Sequence, residues 1–331
     1  MTAPIARRRL GRTGLQVTEL GLGGVFVRTA VTAPGEGVRV VRRALELGVD
    51  YLDTAPLYGD SQRVLGEALQ DVTAPYVLGA KCGRWDWESG PYRSLDAFKR
   101  QFEQTQRDLR RDVVDILYIH EADWAPYWTD MSVPRAAQFL DADAEYDFDG
   151  APVAAFLRWV KDQGMTRYLG ISGNNAHLLA KVLREMETPI DVVLTAFQYS
   201  LVWRNALRDL FPLAAELDVG IVLGAPLQQG LLAEVHPEWL RDPPDWMDED
   251  LRARFGRLYA IQAETGLSLA ELAIRFLLRD RRFASVIPGA ASIEQIEENV
   301  RCANAGPLPD ELHARLDALG RVYEPGARLK G

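Results

Sequence analysis

The feature that most constrains this chain is a repeat of pattern. Short apolar runs rich in Val, Ile, Leu and Tyr alternate with longer stretches of helical period. The strand-like runs are 20–24, 51–55, 76–83, 113–122, 168–173, 192–201, 220–227 and 285–290. Helical stretches lie at 35–47, 61–69, 95–109, 151–163, 176–187, 207–217, 268–278 and 293–299. Gly48 reads as a stop after the first helix and Ser268 as a start before a Leu- and Ala-rich one. Strict alternation predicts parallel strands joined by crossover helices, and eight units predict an α/β fold closed into a (β/α)₈ barrel. A length of 331 residues fits such a barrel as one domain over 1–331. The competing doubly wound sheet would carry a phosphate-binding glycine loop opening a helix. Here Gly21, Gly23 and Gly24 lead to no immediate helix.

Two stretches break the rhythm: 123–150, acidic and aromatic, and 228–250, with Pro237, Trp239, Pro243, Pro244 and Trp246. Both follow strand C-terminal ends, where barrel active sites are built, and loops this long are usually functional or disordered. Their aromatic content argues against disorder. The formal net charge of -9 argues against nucleic acid, whose binders are basic. No apolar run approaches the roughly 18 residues that span a bilayer. Arg7, Arg8 and Arg9 invite an export-signal reading, but Gly11, Arg12, Thr13 and Glu19 interrupt the apolar stretch it needs. A solvated charge cluster is expected instead. Two cysteines, Cys82 and Cys302, make no disulfide framework, so a reducing cytoplasm is the expectation. The four histidines show no metal-ligand spacing, and Cys82 reads as a small buried strand residue.

In a barrel, residues at the C-terminal ends of different strands meet across one mouth. Asp53 ends the second strand, Lys81 the third and His120 the fourth, while Tyr58 lies just after Asp53. Ionisable residues in apolar strands are costly unless they pair. Taken singly, Asp53 and Lys81 are a rim ion pair, His120 a core histidine and Tyr58 a loop aromatic. Together they make an acid/base unit. A free tyrosine titrates near pH ~10, and an adjacent ammonium favours its phenolate. Aspartate holds the lysine, tyrosine exchanges a proton with a carbonyl oxygen, and neutral His120 orients that carbonyl.

The segment 48–61, Gly-Val-Asp-Tyr-Leu-Asp-Thr-Ala-Pro-Leu-Tyr-Gly-Asp-Ser, resembles the most diagnostic segment of aldo-keto reductases. Residues 9–17 resemble their opening, where a short hairpin caps the barrel bottom, and 286–290 with 294–299 resemble their cofactor-binding end. The resemblance runs from Arg9 to Asn299 and implies a catalytic tetrad of Asp53, Tyr58, Lys81 and His120. It places the nicotinamide amide against Ser172 and Gln198, with Asn174 or Asn175 near by. It extends the cofactor contacts to Gly24, to Ala225, Pro226, Leu227 and Gly230, and to Pro288, Gly289, Ala290, Ser292 and Gln295. Glu298 and Asn299 are expected against the adenosine. Many members stack an aromatic on the nicotinamide from the end of the seventh strand, where this chain offers Gly224. In that respect, and in Cys82-Gly83-Arg84, it is more similar to the branch that oxidises aldoses such as D-threo-aldose, L-fucose or L-galactose with NAD.

The last unit, 288–295, lacks the Lys or Arg that grips an adenosine 2′-phosphate, which favours NAD(H), whereas the family as a whole favours NADP(H). Arg28 and Arg204 are the candidates to supply that charge from other loops. A small carbonyl or sugar substrate is expected against Val25, Trp85, Trp87, Trp124 and Trp128. Aromatic faces stack on polyols, and neighbouring carboxylates (Asp86, Glu88, Asp123, Asp130) accept hydroxyl protons. The competing reading has these rings packing the long loops. Rival functions are a cofactor-binding regulatory module, a sugar dehydrogenase acting only in the oxidative direction, and a lyase or hydrolase pairing Asp53 with Glu121. Neighbours on a strand alternate faces, so His120 and Glu121 should not both point inward. Nothing in the sequence specifies an oligomeric state.

Overall fold

Two antiparallel strands, β1 (Arg7–Arg9) and β2 (Gln16–Thr18), open the chain, and every later strand runs parallel to its neighbours. The computed structural model describes residues 4–83, 94–129 and 139–323. The parallel strands are β3 (Leu22–Gly23), β4 (Tyr51–Asp53), β5 (Val77–Cys82) and β6 (Val114–Ile119). They continue with β7 (Thr166–Gly173), β8 (Val192–Ala196), β9 (Gly220–Gly224) and β10 (Ser285–Ile287). They pair in chain order, and the bridges Leu20↔Val286 and Gly23↔Gly289 bring the last strand back to the first. The expected (β/α)₈ barrel is what forms.

The helices α1 (Glu36–Glu46), α2 (Ser61–Ala68), α3 (Leu95–Leu109), α4 (Pro152–Asp162), α5 (Ala176–Glu185) and α6 (Leu210–Glu216) fall where the helical period runs. Each leads one strand into the next. Two helices separate β9 from β10. The first, α7 (Glu249–Thr265), starts where Asp248 accepts from the Leu251 amide at 2.7 Å and ends at left-handed Gly266. The second, α8 (Leu269–Arg279), is capped by Ser268 as its sequence predicts. After β10 come α9 (Ile293–Asn304) and α10 (Asp310–Asp317). The helices α7 and α10 go beyond the periodic stretches read in the sequence, and 228–250 holds two short 3₁₀ turns. Several strands end earlier than their apolar runs. β8 stops at Ala196, while Tyr199, Leu201 and Val202 beyond it are buried, so apolarity there reports burial rather than pairing.

The core has two parts. A large cluster fills the space between strands and helices, and a smaller one, including Leu10, Val17, Tyr51, Ile116, Tyr118, Val192 and Val222, fills the barrel itself. Leu10 and Val17 belong to the β1–β2 hairpin, which plugs the N-terminal end of the barrel. The expected solvated arginine cluster is corrected here. Arg7 and Arg9 are exposed, but Arg8 is 7% exposed. Its guanidinium donates to Glu19 Oε2 at 2.7 and 3.1 Å and to the carbonyls of Asp280 and Phe283 at 2.6 and 3.0 Å, and it also reaches that of Leu278. A strand alternates faces, so one arginine of three turns inward, and it is tolerated because its donors are met.

Candidate active site

Strand alternation aims Asp53, Lys81 and His120 into the barrel mouth from β4, β5 and the end of β6. All three are buried, Lys81 to 1% exposure. Lys81 Nζ forms an ion pair with Asp53 Oδ1 and donates to the Thr54 carbonyl at 3.3 Å. Tyr58 sits in the turn between β4 and α2, its amide bonded to the Ala55 carbonyl at 3.0 Å. Ser61 secures that turn, donating to the Gly24 carbonyl at 2.7 Å and meeting Thr54 Oγ1 at 2.9 Å. The Tyr58 ring has Lys81 Nζ 4.8 Å from its centroid and stands edge-on to the His120 imidazole at 5.5 Å. The four residues named from the sequence thus meet in one place.

Burial works against the Lys81 ammonium, but Asp53 and the Tyr58 phenol outweigh it and its pKa is raised. Lys81 therefore stays charged. For Tyr58, burial raises the phenol pKa, the Lys81 charge pulls it back in part, and Asp53 adds to the rise. The ammonium lowers it as expected, but burial outweighs that pull and the net direction is upward, which corrects the expectation of a lowered pKa. Burial also pushes the Cys82 thiol well up, in keeping with a core residue.

Ser172 and Gln198 set a hydroxyl and an amide at the ends of neighbouring strands β7 and β8, 2% and 5% exposed. Ser172 Oγ donates to the Ile119 carbonyl at 3.1 Å, and Gln198 Oε1 accepts from the Ala176 amide at 3.3 Å. Asn174 Nδ2 donates to Glu121 Oε1 at 2.9 Å, so Glu121 is turned toward Asn174 and the pairing of Asp53 with Glu121 does not form. Beyond β9, Ala225, Gln228, Gln229 and Gly230 all adopt positive φ. Glu121 and Phe197 do the same after β6 and β8. Such strain in non-glycine residues persists where the surroundings enforce it, here around the mouth. In the last unit Ser292 caps α9, Gln295 Oε1 accepts from the Ala291 amide at 2.7 Å, and Asn299 donates to the Gly289 carbonyl at 3.4 Å.

A model of the Aldo/keto reductase family matches residues 19–321. The chain belongs to the Aldo/keto reductase family. It is 30% identical over 309 residues to L-galactose dehydrogenase of Arabidopsis thaliana, covering 89% of this chain and 87% of that one. It is 27% identical to D-threo-aldose 1-dehydrogenase of a Pseudomonas species, covering 94% and 97%. Among solved structures, the holo form of aldo-keto reductase AKR11C1 from Bacillus halodurans superposes with a TM-score of 0.72 at 26% identity, covering 97% and 98%. Members of this family are oxidoreductases that use a nicotinamide cofactor, NAD(H) or NADP(H), and a hydroxyl at Ser172 beside a side-chain amide at Gln198 is chemistry that pairs with a carboxamide. Among the described residues no helix is long and apolar enough to cross a membrane.

Within this aldo/keto reductase, several expected contacts have another evident role. A Cβ at Gly24 would lie 2.5 Å from the Asp53 carbonyl oxygen, so this glycine lets β3 approach the tetrad strand. Glu298 is bound by Arg301 at 2.7 Å. Trp124 and Trp128 are buried, and Trp128 packs edge-on to Phe148 at 4.9 Å while its Nε1 donates to the Ala122 carbonyl at 2.8 Å. Both pack against rings of their own loop. Val25 is half-buried beside the mouth; Trp85 and Trp87 lie outside the described residues. Asp123 Oδ2 accepts the Asn174 and Asn175 amides at 2.7 Å each. That anchor and the amide of Gln228, which donates to the Phe197 carbonyl at 3.0 Å, went unread in the sequence. Neither sits in a motif. Arg204 is 4% exposed and held over the Tyr199 and Phe276 rings, away from solvent.

Proposed function

We propose that this protein catalyses reversible, NAD(H)-dependent hydride transfer between nicotinamide C4 and a small carbonyl or lactol, with aldoses as the leading substrate class. The observation that carries the reading is the Tyr58 phenol held between the Lys81 ammonium and the His120 ring. Bound nicotinamide supplies or accepts the hydride. Tyr58 Oη gives its proton to the carbonyl oxygen in reduction and takes it back in oxidation. With a raised pKa the phenol is protonated at neutral pH, ready to act as the acid. Lys81, kept charged by Asp53, stabilises the phenolate left behind, and His120 hydrogen-bonds the carbonyl oxygen. Ser172 and Gln198 orient the carboxamide, with Asn174 beside them.

The preference for NAD(H) rests on the last unit. Residues 288–295 carry no Lys or Arg, and Glu294 puts a carboxylate on the first turn of α9. A Cβ at Gly289 would lie 2.2 Å from the Phe26 ring, so a side chain there would first have to displace that ring. Arg204 is committed to the core, and the Arg28 stem lies beside Gly59, on the Tyr58 side. The names of the relatives point to aldoses. Fluorescence titration with NADH and NADPH, followed by NAD⁺-dependent oxidation of L-galactose and D-threo-aldoses, tests the reading. Tighter NADH binding with aldose turnover is the expected result, and binding of neither nucleotide defeats it.

A further inference from the structure

Directly beneath the tetrad the barrel interior holds two phenols, where its other members are mostly aliphatic. Tyr51 precedes Asp53 by two on β4, and Tyr118 precedes His120 by two on β6, so each points inward one layer below a tetrad member. Between them on β5 lies Gly79, two before Lys81 and the register partner of Asp53. Tyr118 is the register partner of Lys81. The two hydroxyls lie 2.7 Å apart and are fully buried.

The gap at Gly79 is where these groups converge. A Cβ there would lie 3.0 Å from Tyr51 Oη, 3.1 Å from the Tyr118 ring and 3.5 Å from Asp53 Oδ2. Asp53 Oδ1 takes the Lys81 ammonium, while Oδ2 is buried without a hydrogen-bond partner. Two hydroxyls joined by one hydrogen bond use one of their two protons between themselves; neither reaches Oδ2 in hydrogen-bond geometry, so the pair bears on the carboxylate as a dipole across the Gly79 gap. Packing alone would be met by two phenylalanines, and burying hydroxyls in an aliphatic layer costs free energy unless they are used.

We infer that the Tyr51–Tyr118 hydroxyl pair, admitted by the missing side chain at Gly79, is a positioning element that steadies the Asp53 carboxylate and through it Lys81. The other charged or titratable groups that act on Asp53 or on the hydroxyl pair are Lys81 from β5, Tyr58 from the loop after β4 and Asp115 from β6; β3 brings only Leu22 and Gly23. The Lys81 charge acts on Tyr58 more strongly than the Asp53 charge does. A Lys81 ammonium held less firmly by Asp53 spends less time against the Tyr58 ring, and the Tyr58 titration then moves to higher pH.

The inference rests on the proposed role of Tyr58, and its test is the double variant Tyr51→Phe/Tyr118→Phe. Removing both partners of one hydrogen bond with the rings kept leaves stability nearly unchanged. Tyrosinate absorbance in the protein without nucleotide, with Tyr58 assigned by its loss in Tyr58→Phe, follows the phenol whether or not turnover is found. The expected result is a Tyr58 titration displaced upward by about half a pH unit or more, with oxidation below that pH slowed about threefold or more. KM for the nucleotide stays the same. An unmoved titration in a folded double variant overturns the inference and leaves the two hydroxyls serving only each other. Turnover that survives Tyr58→Phe defeats the proposed function instead, and the titration still decides the inference.

Discussion

The two ends of the barrel each bury an ion pair, and they use it in opposite ways. At the closed end Arg8 faces Glu19 and three backbone carbonyls, so its donors are met and the hairpin is fastened to the segment between α8 and β10. At the mouth Lys81 faces Asp53, the Thr54 carbonyl and a phenol, and one carboxylate oxygen of Asp53 stays without a partner. A saturated pair holds structure. An unsaturated pair beside a phenol can respond to a change of charge, which proton transfer requires. The backbone leans the same way. Of the seven described non-glycine residues with positive φ, five (Glu121, Phe197, Ala225, Gln228 and Gln229) lie just past barrel strands at the mouth, while Arg110 and Asp218 lie at the other end, after α3 and α6.

Four experiments break or sharpen that contrast. The largest effect on stability is expected from Arg8→Leu, which strands Glu19 and three carbonyls. Unfolding free energy should fall by about 3–5 kcal/mol, measured by chemical denaturation, with turnover per folded molecule unchanged. An equal loss of turnover would erase the distinction between the two ends. Lys81→Met should do the reverse. Turnover is expected to fall by about 10²-fold or more, measured as kcat at saturating nucleotide. Stability should fall less than in Arg8→Leu, because burial already raises the pKa of Asp53 and the carboxyl can take up a proton when its cation is gone.

The pH dependence comes next. Oxidation needs Tyr58 as phenolate and the pKa of the phenol is raised, so kcat/KM for the alcohol should climb about tenfold per pH unit through the neutral range. Reduction should stay flat there, because the phenol is already protonated. A flat oxidation profile would contradict the assignment. The smallest effect concerns the nucleotide. Gly289→Lys alone should gain no NADPH affinity because the Phe26 ring occupies the side-chain position, whereas Phe26→Ala/Gly289→Lys should gain several-fold, read by fluorescence titration. A gain in the single variant would show that Phe26 yields easily.

Much of this was legible in the chain before its folding was known. Eight apolar runs separated by helical periods dictate a parallel barrel, and a barrel brings Asp53, Lys81 and His120 to one mouth by strand alternation alone. Glycine and serine signals at Gly48 and Ser268 sit where helices end and begin. What escaped had physical reasons. The helix α7 has Asp248 and Gly266 at its ends, but its charge density and mid-helix Gly256 blur the seam of Leu251, Phe255 and Leu258. Arg8 reads as solvated because a run of three arginines gives no hint that Glu19 and carbonyls from around 280 wait for the middle one. The direction of the Tyr58 shift depends on how deeply the phenol is buried, which residue types do not disclose. Asp123 anchors two backbone amides, a role set by the turn after β7 that its place in an acidic, aromatic stretch does not disclose.

The account stands most directly on the proton carried by Tyr58. The measurement is kcat for NAD⁺-dependent oxidation of L-galactose by Tyr58→Phe against the unsubstituted protein, with NADH binding measured in both. Turnover lowered about 10²–10⁴-fold with NADH binding intact is the result the account predicts. Turnover within a few-fold of the unsubstituted protein, with the same NADH affinity, would contradict it and place the proton donor elsewhere in the mouth.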